Sequence, residues 1–240
     1  MSEQVETPTW FEPFKKMIIS IMDFLFTNKE PDRPDATPPL IIESAKAYMP
    51  KVIPVKGVRY TKNGKFKTPS GKAMGAVVHY TVSGRTPQAA RSVVSYLAKS
   101  GLGCLVMDEN GDFYCAENYD YMTDVVWHAG NSSWMGKTGI SRYCIGIEIC
   151  CWGSDGAKRG AKDLRTVDKN ANVKAGTYQK YTATQEKSLY AFLKYCKSVN
   201  PEFNYDFVVG HDEIAPKRKS DPGGSLSTTM PVLRTTLKKG

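Results

Sequence analysis

The chain has 240 residues, of which 41% are hydrophobic and 24% charged, and its formal net charge is +9. This composition is typical of a globular protein with one sizeable domain and an extension, or with two small domains. The sequence has no run approaching the roughly 18–20 apolar residues of a membrane-spanning helix. Residues 1–6 are acidic, which predicts synthesis in a cytoplasm without a secretory signal.

The positive charge predicts an acidic partner, either nucleic acid or the anionic polymers of a bacterial envelope. The sequence shows no RNA-binding aromatic motif and no DNA-binding finger spacing, so we expect no specific nucleic-acid site. None of the six cysteines forms a CxxC pair, and several lie in apolar stretches. We therefore expect reduced, mostly buried thiols rather than a disulfide framework or a cysteine-rich zinc site.

The N-terminus differs in composition from the rest of the chain. Residues 10–26 have apolar side chains at helical spacing, which predicts an amphipathic helix that does not span a membrane. Such a helix could dock on the domain, self-associate or contact a membrane. Residues 28–39 contain four prolines and predict a linker. We place a boundary there, which divides the chain into an extension, 1–39, and a main domain, 40–240.

The main domain alternates apolar stretches typical of strands with segments of helical periodicity. Residues 86–100 begin with a Thr-Pro cap and predict a helix, as do residues 182–198. The sequence Glu109-Asn110-Gly111 predicts a hairpin turn. This order predicts an α/β fold, a mixed central β-sheet flanked by helices, with an N-terminal helical extension. The predicted strands are residues 75–81, 104–107, 112–116, 144–152 and 207–209.

Residues 153–180 form a polar insert with seven Lys and Arg and three Asp. The simplest interpretation is a solvated loop. A contact with anionic wall polymer is the sharper hypothesis.

Two of the three histidines accompany apolar strands. His79 lies within the strand at 75–81, and His211 follows the strand at 207–209. Asp221 comes ten residues after His211, in a loop rich in Pro and Gly. Each histidine alone is better explained as a hydrogen-bonded core residue. Together, two imidazoles and a carboxylate would make a three-ligand set with an open fourth position, as in catalytic zinc sites.

Four motifs carry a family resemblance. The last runs from His211 through Lys219 to Asp221-Pro222-Gly223, and the others are residues 77–81, 127–130 and 145–149. They resemble, in family order between residues 75 and 223, the motifs of the zinc-dependent N-acetylmuramoyl-L-alanine amidases of type 2. That family includes phage lysins, bacterial muropeptide amidases and peptidoglycan recognition proteins.

The resemblance implies an α/β domain in which zinc is held by His79, His211 and Asp221. It implies Glu148 as the general base for the attacking water and Lys219 as the cation that stabilises the oxyanion. An acid within an apolar strand, as Glu148 is, is costly unless it is paired or functional.

His128 matches a family residue that lines the cleft without binding metal, and we assign it to substrate contact. Trp127 and Asn131 lie in the same predicted loop, residues 119–137, and their aromatic and amide groups suit a sugar-peptide ligand. The same composition also fits a loop held in place by buried tryptophan.

The resulting hypothesis is a zinc amidase that cleaves between N-acetylmuramic acid and L-alanine in peptidoglycan. A phage or prophage lysin, made in a cytoplasm and acting on the bacterial wall, is the expected setting. A cytoplasmic recycling amidase for soluble anhydro-muropeptides is the nearest alternative, and Asp221, where some phage lysins carry Cys, favours a core similar to that branch. A non-catalytic peptidoglycan-binding module and a nucleic-acid binder are the other two classes.

Overall fold

The computed structural model describes residues 50–60, 65–170 and 172–239. The helix predicted at residues 10–26, the linker at 28–39 and the domain boundary lie outside these residues. None of the helices in the described ranges is long and apolar enough to cross a membrane.

Most strands are short, and six of them build the central sheet. In chain order the strands are β1 (Val52–Val55), β2 (Phe66–Lys67), β3 (Gly75–Tyr80), β4 (Leu105–Met107), β5 (Phe113–Ala116), β6 (Asp124–Val125), β7 (Ser133–Trp134), β8 (Lys137–Thr138), β9 (Cys144–Ile149), β10 (Leu164–Val167), β11 (Gly176–Gln179) and β12 (Val208–Gly210). The α-helices are α1 (Pro87–Lys99), α2 (Ala183–Val199), α3 (His211–Ile214) and α4 (Met230–Lys239). Single 3₁₀ turns occur at Ile140–Arg142, Gly153–Asp155, Tyr205–Phe207 and Gly223–Ser225.

The central sheet is mixed, as predicted. Its strand order is β1-β5-β4-β9-β3-β12, in which β4 and β5 are antiparallel and the other neighbours are parallel. The antiparallel pair is the predicted hairpin, whose turn needs a left-handed residue that Gly111 supplies at φ +78°. The predicted fold class is therefore confirmed.

Both predicted helices of the main domain are also confirmed, and their caps define where they begin. The Thr86 hydroxyl accepts a hydrogen bond from the Ala89 amide at 3.2 Å, and Pro87 occupies the first turn of α1. Thr182 and Gln185 cap α2 reciprocally, each side chain bonding the other's backbone amide.

The two helices cover opposite faces of the sheet. Val94 of α1 packs in one cluster with Val106 and Tyr114. Phe113, the neighbour of Tyr114 in β5, points to the other face, where its ring centroid lies 4.7 Å from that of Phe192 in α2. The sheet is thus buried on both sides, as mostly parallel sheets are.

Strand register determines where the chemistry lies. In the parallel β3–β9 pair, His79 lies opposite Glu148, and in the β4–β9 pair Val106 lies opposite Glu148. Paired residues project from the same face. His79 and Glu148 are therefore neighbours on the same face of the sheet as Val106, which packs against α1.

Two expectations about loops are corrected. Residues 153–180 are not simply a solvated loop, because β10 and β11 pair as an antiparallel ribbon and Tyr178 is buried. The Tyr178 ring packs so closely on Gly224 that a Cβ there would lie 2.6 Å from it. His211 does not enter a loop either; it begins α3, because the Glu213 carboxylate accepts a hydrogen bond from the Gly210 amide at 2.9 Å and caps the turn.

Candidate metal centre and active site

Three predicted ligands converge at the end of β3. The Nδ1 atoms of His79 and His211 are 2.9 Å apart, and Asp221 Oδ2 lies 2.9 Å from the first and 3.0 Å from the second. All three side chains are buried. The separations are somewhat shorter than the roughly 3.3–3.6 Å between ligand atoms that each lie about 2.0–2.2 Å from one tetrahedral ion, so the three atoms converge on a space of the size that one ion needs.

The fold brings these residues together from distant parts of the chain. β12 runs parallel to β3, with Val209 opposite Val77, so His211 follows β12 at the strand end where His79 lies. The Asp212 amide then donates to the Asp221 carbonyl at 2.8 Å, which returns the loop to the same place. Parallel strands therefore place two imidazoles side by side, and a loop closed by a backbone hydrogen bond adds the carboxylate.

The hydrogen-bond partners of the histidines fix where their protons lie. His211 Nε2 is 3.1 Å from the Ala129 carbonyl, which can only accept, so Nε2 carries the proton and Nδ1 has a lone pair. His128 Nε2 similarly donates to the Cys144 carbonyl at 3.1 Å. The Nδ1 of His128, 3.1 Å from His79 Nε2, must then accept, which leaves Nδ1 of His79 unprotonated.

The pKa shifts of His79 and His128 agree with this proton arrangement. Burial and the neighbouring His211 lower the pKa of His79 to about 4, and burial lowers the pKa of His128 well below its usual value. Two lone pairs and one carboxylate oxygen thus face each other without a proton to share, a donor set that fits a cation.

A second group of possible ligands is explained without a metal. Nitrogen atoms of His79 and His128 and the Cys104 sulfur lie within 4.8 Å of one another. Both nitrogens of His128 already have partners, and burial raises the pKa of the Cys104 thiol well above its usual value. A neutral thiol beside an occupied imidazole is a poor metal site.

Glu148 lies beside the ligands with an unsatisfied oxygen. Its side chain is half-buried, and its Oε2 is enclosed with no hydrogen-bond partner among the described residues. Burial, reinforced by Asp221, raises the pKa of Glu148 to about 8, while Lys219 acts in the opposite direction. An enclosed carboxyl oxygen without a partner, beside a group of possible metal ligands, is typical of a proton-transfer residue.

Lys219 is half-buried, two residues before the third ligand. Its charge opposes protonation of both His79 and Glu148, lowering the pKa of each. The positive charge of Lys219 therefore influences both Glu148 and one of the predicted ligands.

The three residues predicted to contact substrate lie in two different places in the structure. Trp127 and Asn131 line one cavity of about 420 Å³, whereas His128 lies behind His79 with both nitrogens bonded to protein atoms. This placement of His128 departs from the expected substrate contact. The other residues that line the cavity are Gly130, Thr138, Gly139, Arg142 and Tyr143.

Two arginines that no sequence motif singles out hold the site. Arg218 Nη2 donates to the carbonyls of Ala129 and Asn131, at 2.7 and 3.0 Å, and so ties the cavity loop to the loop of the third ligand. Arg234 of α4 forms a two-fold ion pair with Glu213, at 2.7 and 2.8 Å. Neither arginine belongs to a recognisable local pattern, and their partners lie 21 residues or more away in sequence.

Comparisons with known proteins place these observations in a family. A family model described as N-acetylmuramoyl-L-alanine amidase matches residues 69–224. The 1,6-anhydro-N-acetylmuramyl-L-alanine amidase AmpD of Haemophilus influenzae is 28% identical over 128 residues, which cover 53% of this chain and 54% of that protein. The N-acetylmuramoyl-L-alanine amidase AmiD of Escherichia coli is 29% identical over 102 residues, 42% of this chain and 30% of that protein. The chain thus spans about half or less of the length of these relatives.

A solved structure supports the fold. The N-acetylmuramoyl-L-alanine amidase LysC from Clostridium intestinale is 14% identical, and the superposition covers 79% of this chain and 98% of that one with a TM-score of 0.51. At this identity the likeness concerns the fold alone.

Proposed function

The chain belongs to the N-acetylmuramoyl-L-alanine amidase family, and we propose that it is a zinc hydrolase that cleaves the amide bond between N-acetylmuramic acid and L-alanine in peptidoglycan. The observation that carries the proposal is the convergence of three proton-free ligand atoms beside the unpartnered carboxyl group of Glu148. A structural cluster of histidines would instead have its hydrogen bonds completed within the protein.

We propose that zinc binds to His79, His211 and Asp221, two imidazoles and a carboxylate being suitable zinc ligands. When bound, zinc lowers the pKa of a coordinated water towards about 7 and polarises the amide carbonyl. Three protein ligands leave a position for water or substrate.

Glu148 is proposed as the general base. Its Oε2 is free to take a proton from the attacking water, and the same carboxyl group can then give that proton to the amine of the departing L-alanine. Burial raises the pKa of Glu148 to about 8, and the nearby charge of Lys219 counteracts part of that rise, which favours the carboxylate form that this role requires.

Lys219 is proposed to stabilise the negative charge that develops on the amide oxygen. Its half-buried position beside the ligands makes its charge more effective than that of a lysine in free solvent. The pair of Glu148 and Lys219 also argues against a non-catalytic binding module, since binding alone needs neither.

The cavity at Trp127 and Asn131 is proposed to receive part of the muropeptide. It begins one residue from His128 in sequence, and its lining includes the Trp127 ring, the Asn131 amide and Arg142, whose guanidinium lies over that ring. Such a mixture suits a ligand that combines sugar, peptide and carboxylate groups.

The intact bacterial wall, attacked by a phage-type lysin made in a cytoplasm, is the proposed setting. The net charge of +9 supports it, because a basic protein concentrates near anionic envelope polymers. Soluble anhydro-muropeptides are the second candidate, favoured by the similarity to AmpD, a 1,6-anhydro-N-acetylmuramyl-L-alanine amidase. Nucleic-acid binding is supported by the charge alone.

Digestion of purified sacculi, with and without a chelator, tests the proposal. Mass analysis should find peptides with a free L-alanine amine, released only when the metal is present. Release from anhydro-muropeptides but not from sacculi would select the second candidate. Binding without release from either substrate would refute the catalytic proposal.

A further inference from the structure

We propose that His128 is a positioning residue that holds the proton of His79 on Nε2 and so keeps Nδ1 of His79 free to bind metal. The inference rests on the zinc site proposed above. It gives His128 a role in metal affinity in place of the substrate contact predicted from sequence.

The Cys144 carbonyl fixes the direction of the hydrogen bonds that link it through His128 to His79. The Cys144 carbonyl can only accept, so His128 Nε2 donates to it across 3.1 Å. A neutral imidazole has one proton, which leaves His128 Nδ1 as an acceptor, 3.1 Å from His79 Nε2. His79 must then donate from Nε2, and its Nδ1 lone pair faces Asp221.

His79 has a competing arrangement that would exclude metal. With its proton on Nδ1, it would donate to Asp221 Oδ2 across the same 2.9 Å. This alternative satisfies Asp221 but places a proton where the metal would bind. Only 1% of His79 is exposed, so solvent cannot easily replace His128 as a partner for Nε2–H. The acceptor on His128 therefore decides between the two tautomers.

Gly146 makes room for this arrangement. The His79 and His128 rings meet edge to face, with centroids 5.3 Å apart. A Cβ at Gly146 would lie 2.7 Å from His128 Cγ and 2.5 Å from the Cys104 sulfur. Glycine at this position thus allows the imidazole to lie against the strand, within reach of the Cys144 carbonyl.

Zinc affinity tests the proposal without substrate. Competition with a chromophoric chelator should show binding about 10–100-fold weaker in His128→Phe, which keeps the ring shape and removes the acceptor. His128→Asn should recover most of that loss, because its side-chain oxygen can accept from Nε2–H. Cys104→Ala, beside the same ring but outside the hydrogen-bond chain, is the matched control and should stay within about twofold of the parent.

Two outcomes would overturn the proposal. One is a folded His128→Phe protein that binds zinc within about twofold of the parent. The other is a Cys104→Ala loss as large as that of His128→Phe, since the thiol and the two imidazoles would then bind metal themselves.

A second measurement needs no variant to fold. In the ¹⁵N-labelled parent, nuclear magnetic resonance should detect a coupling through the hydrogen bond between His79 Nε2 and His128 Nδ1. Finding the proton of His128 on Nδ1 would overturn the proposal. Neither measurement involves peptidoglycan, so a failure of the proposed amidase activity would not be confused with a failure of this inference.

Discussion

Arg234→Met tests whether the C-terminal helix holds the proposed metal centre in place. Arg234 and Glu213 are almost fully buried, with 12% and 4% of their side chains exposed. Arg234 also donates to the Val208 carbonyl at 2.9 Å, and Glu213 accepts from the Gly210 amide at 2.9 Å. These bonds surround the turn from β12 into His211.

Removing the arginine leaves a buried carboxylate without its cation, a change that typically costs about 3–5 kcal/mol. A domain of this size loses about 2–4 °C of Tm per kcal/mol, so we expect Tm to fall by about 6–20 °C. Since domains usually have about 5–15 kcal/mol of stability, the variant should remain folded at 25 °C. Zinc affinity should fall as well, because Glu213 fixes the turn that presents His211.

Urea unfolding in the presence of a chelator measures the loss in the free energy of unfolding, and chelator competition measures the loss in zinc affinity. Lys238→Met is the matched control on the same helix: its pair with Asp206, at 2.5 Å, is half exposed and should contribute less than about 1 kcal/mol. If Arg234→Met were no more harmful than Lys238→Met, the buried pair would not be what anchors this turn.

Three further substitutions separate metal binding from proton transfer. His79→Ala should lose zinc and activity together, as shown by metal analysis and amine release. Lys219→Ala should keep zinc and lower kcat about 10²–10³-fold; unchanged turnover would contradict its role at the oxyanion. Glu148→Gln should keep zinc and lower kcat about 10²–10⁴-fold. In zinc-free protein the pKa of Glu148 is about 8, above the unfolded value of about 4.3, so the parent should lose stability as pH rises through this window. Thermal unfolding with chelator measures the free energy of unfolding of Glu148→Gln relative to the parent. This difference should shift in favour of the variant by about 1–3 kcal/mol between pH 5 and pH 9, and a difference that does not change with pH would argue against a raised pKa.

Much of the fold could be predicted because its signals are local. The Thr86-Pro87 cap and the periodicity after it define α1, and Asn110-Gly111 defines the turn between β4 and β5. The cap and the turn each depend on residues within about one helical turn of each other. The strand that carries His79 was equally clear from its uninterrupted apolar residues.

The insert at 153–180 shows what local signals leave out. Its polar composition predicts exposure, yet Arg165 donates to the carbonyls of Gly224 and Leu226, and Tyr178 packs on Gly224. These partners lie more than 45 residues away in sequence and include backbone atoms, so residue types alone do not reveal them. Arg165 therefore supports the loop after the third ligand, and a contact with wall polymer would have to use the exposed lysines of the insert.

The proposed metal site divides in the same way. Residue types and motif order predict His79, His211 and Asp221 as its ligands, because a ligand set is a property of side chains. The protons are placed by the backbone carbonyls of Ala129 and Cys144, which every sequence contains and only the fold positions. The difference between a histidine that binds metal and one that orients a ligand, as we propose for His128, lies in those two carbonyls. Such a difference becomes visible only when the strands and loops are placed together.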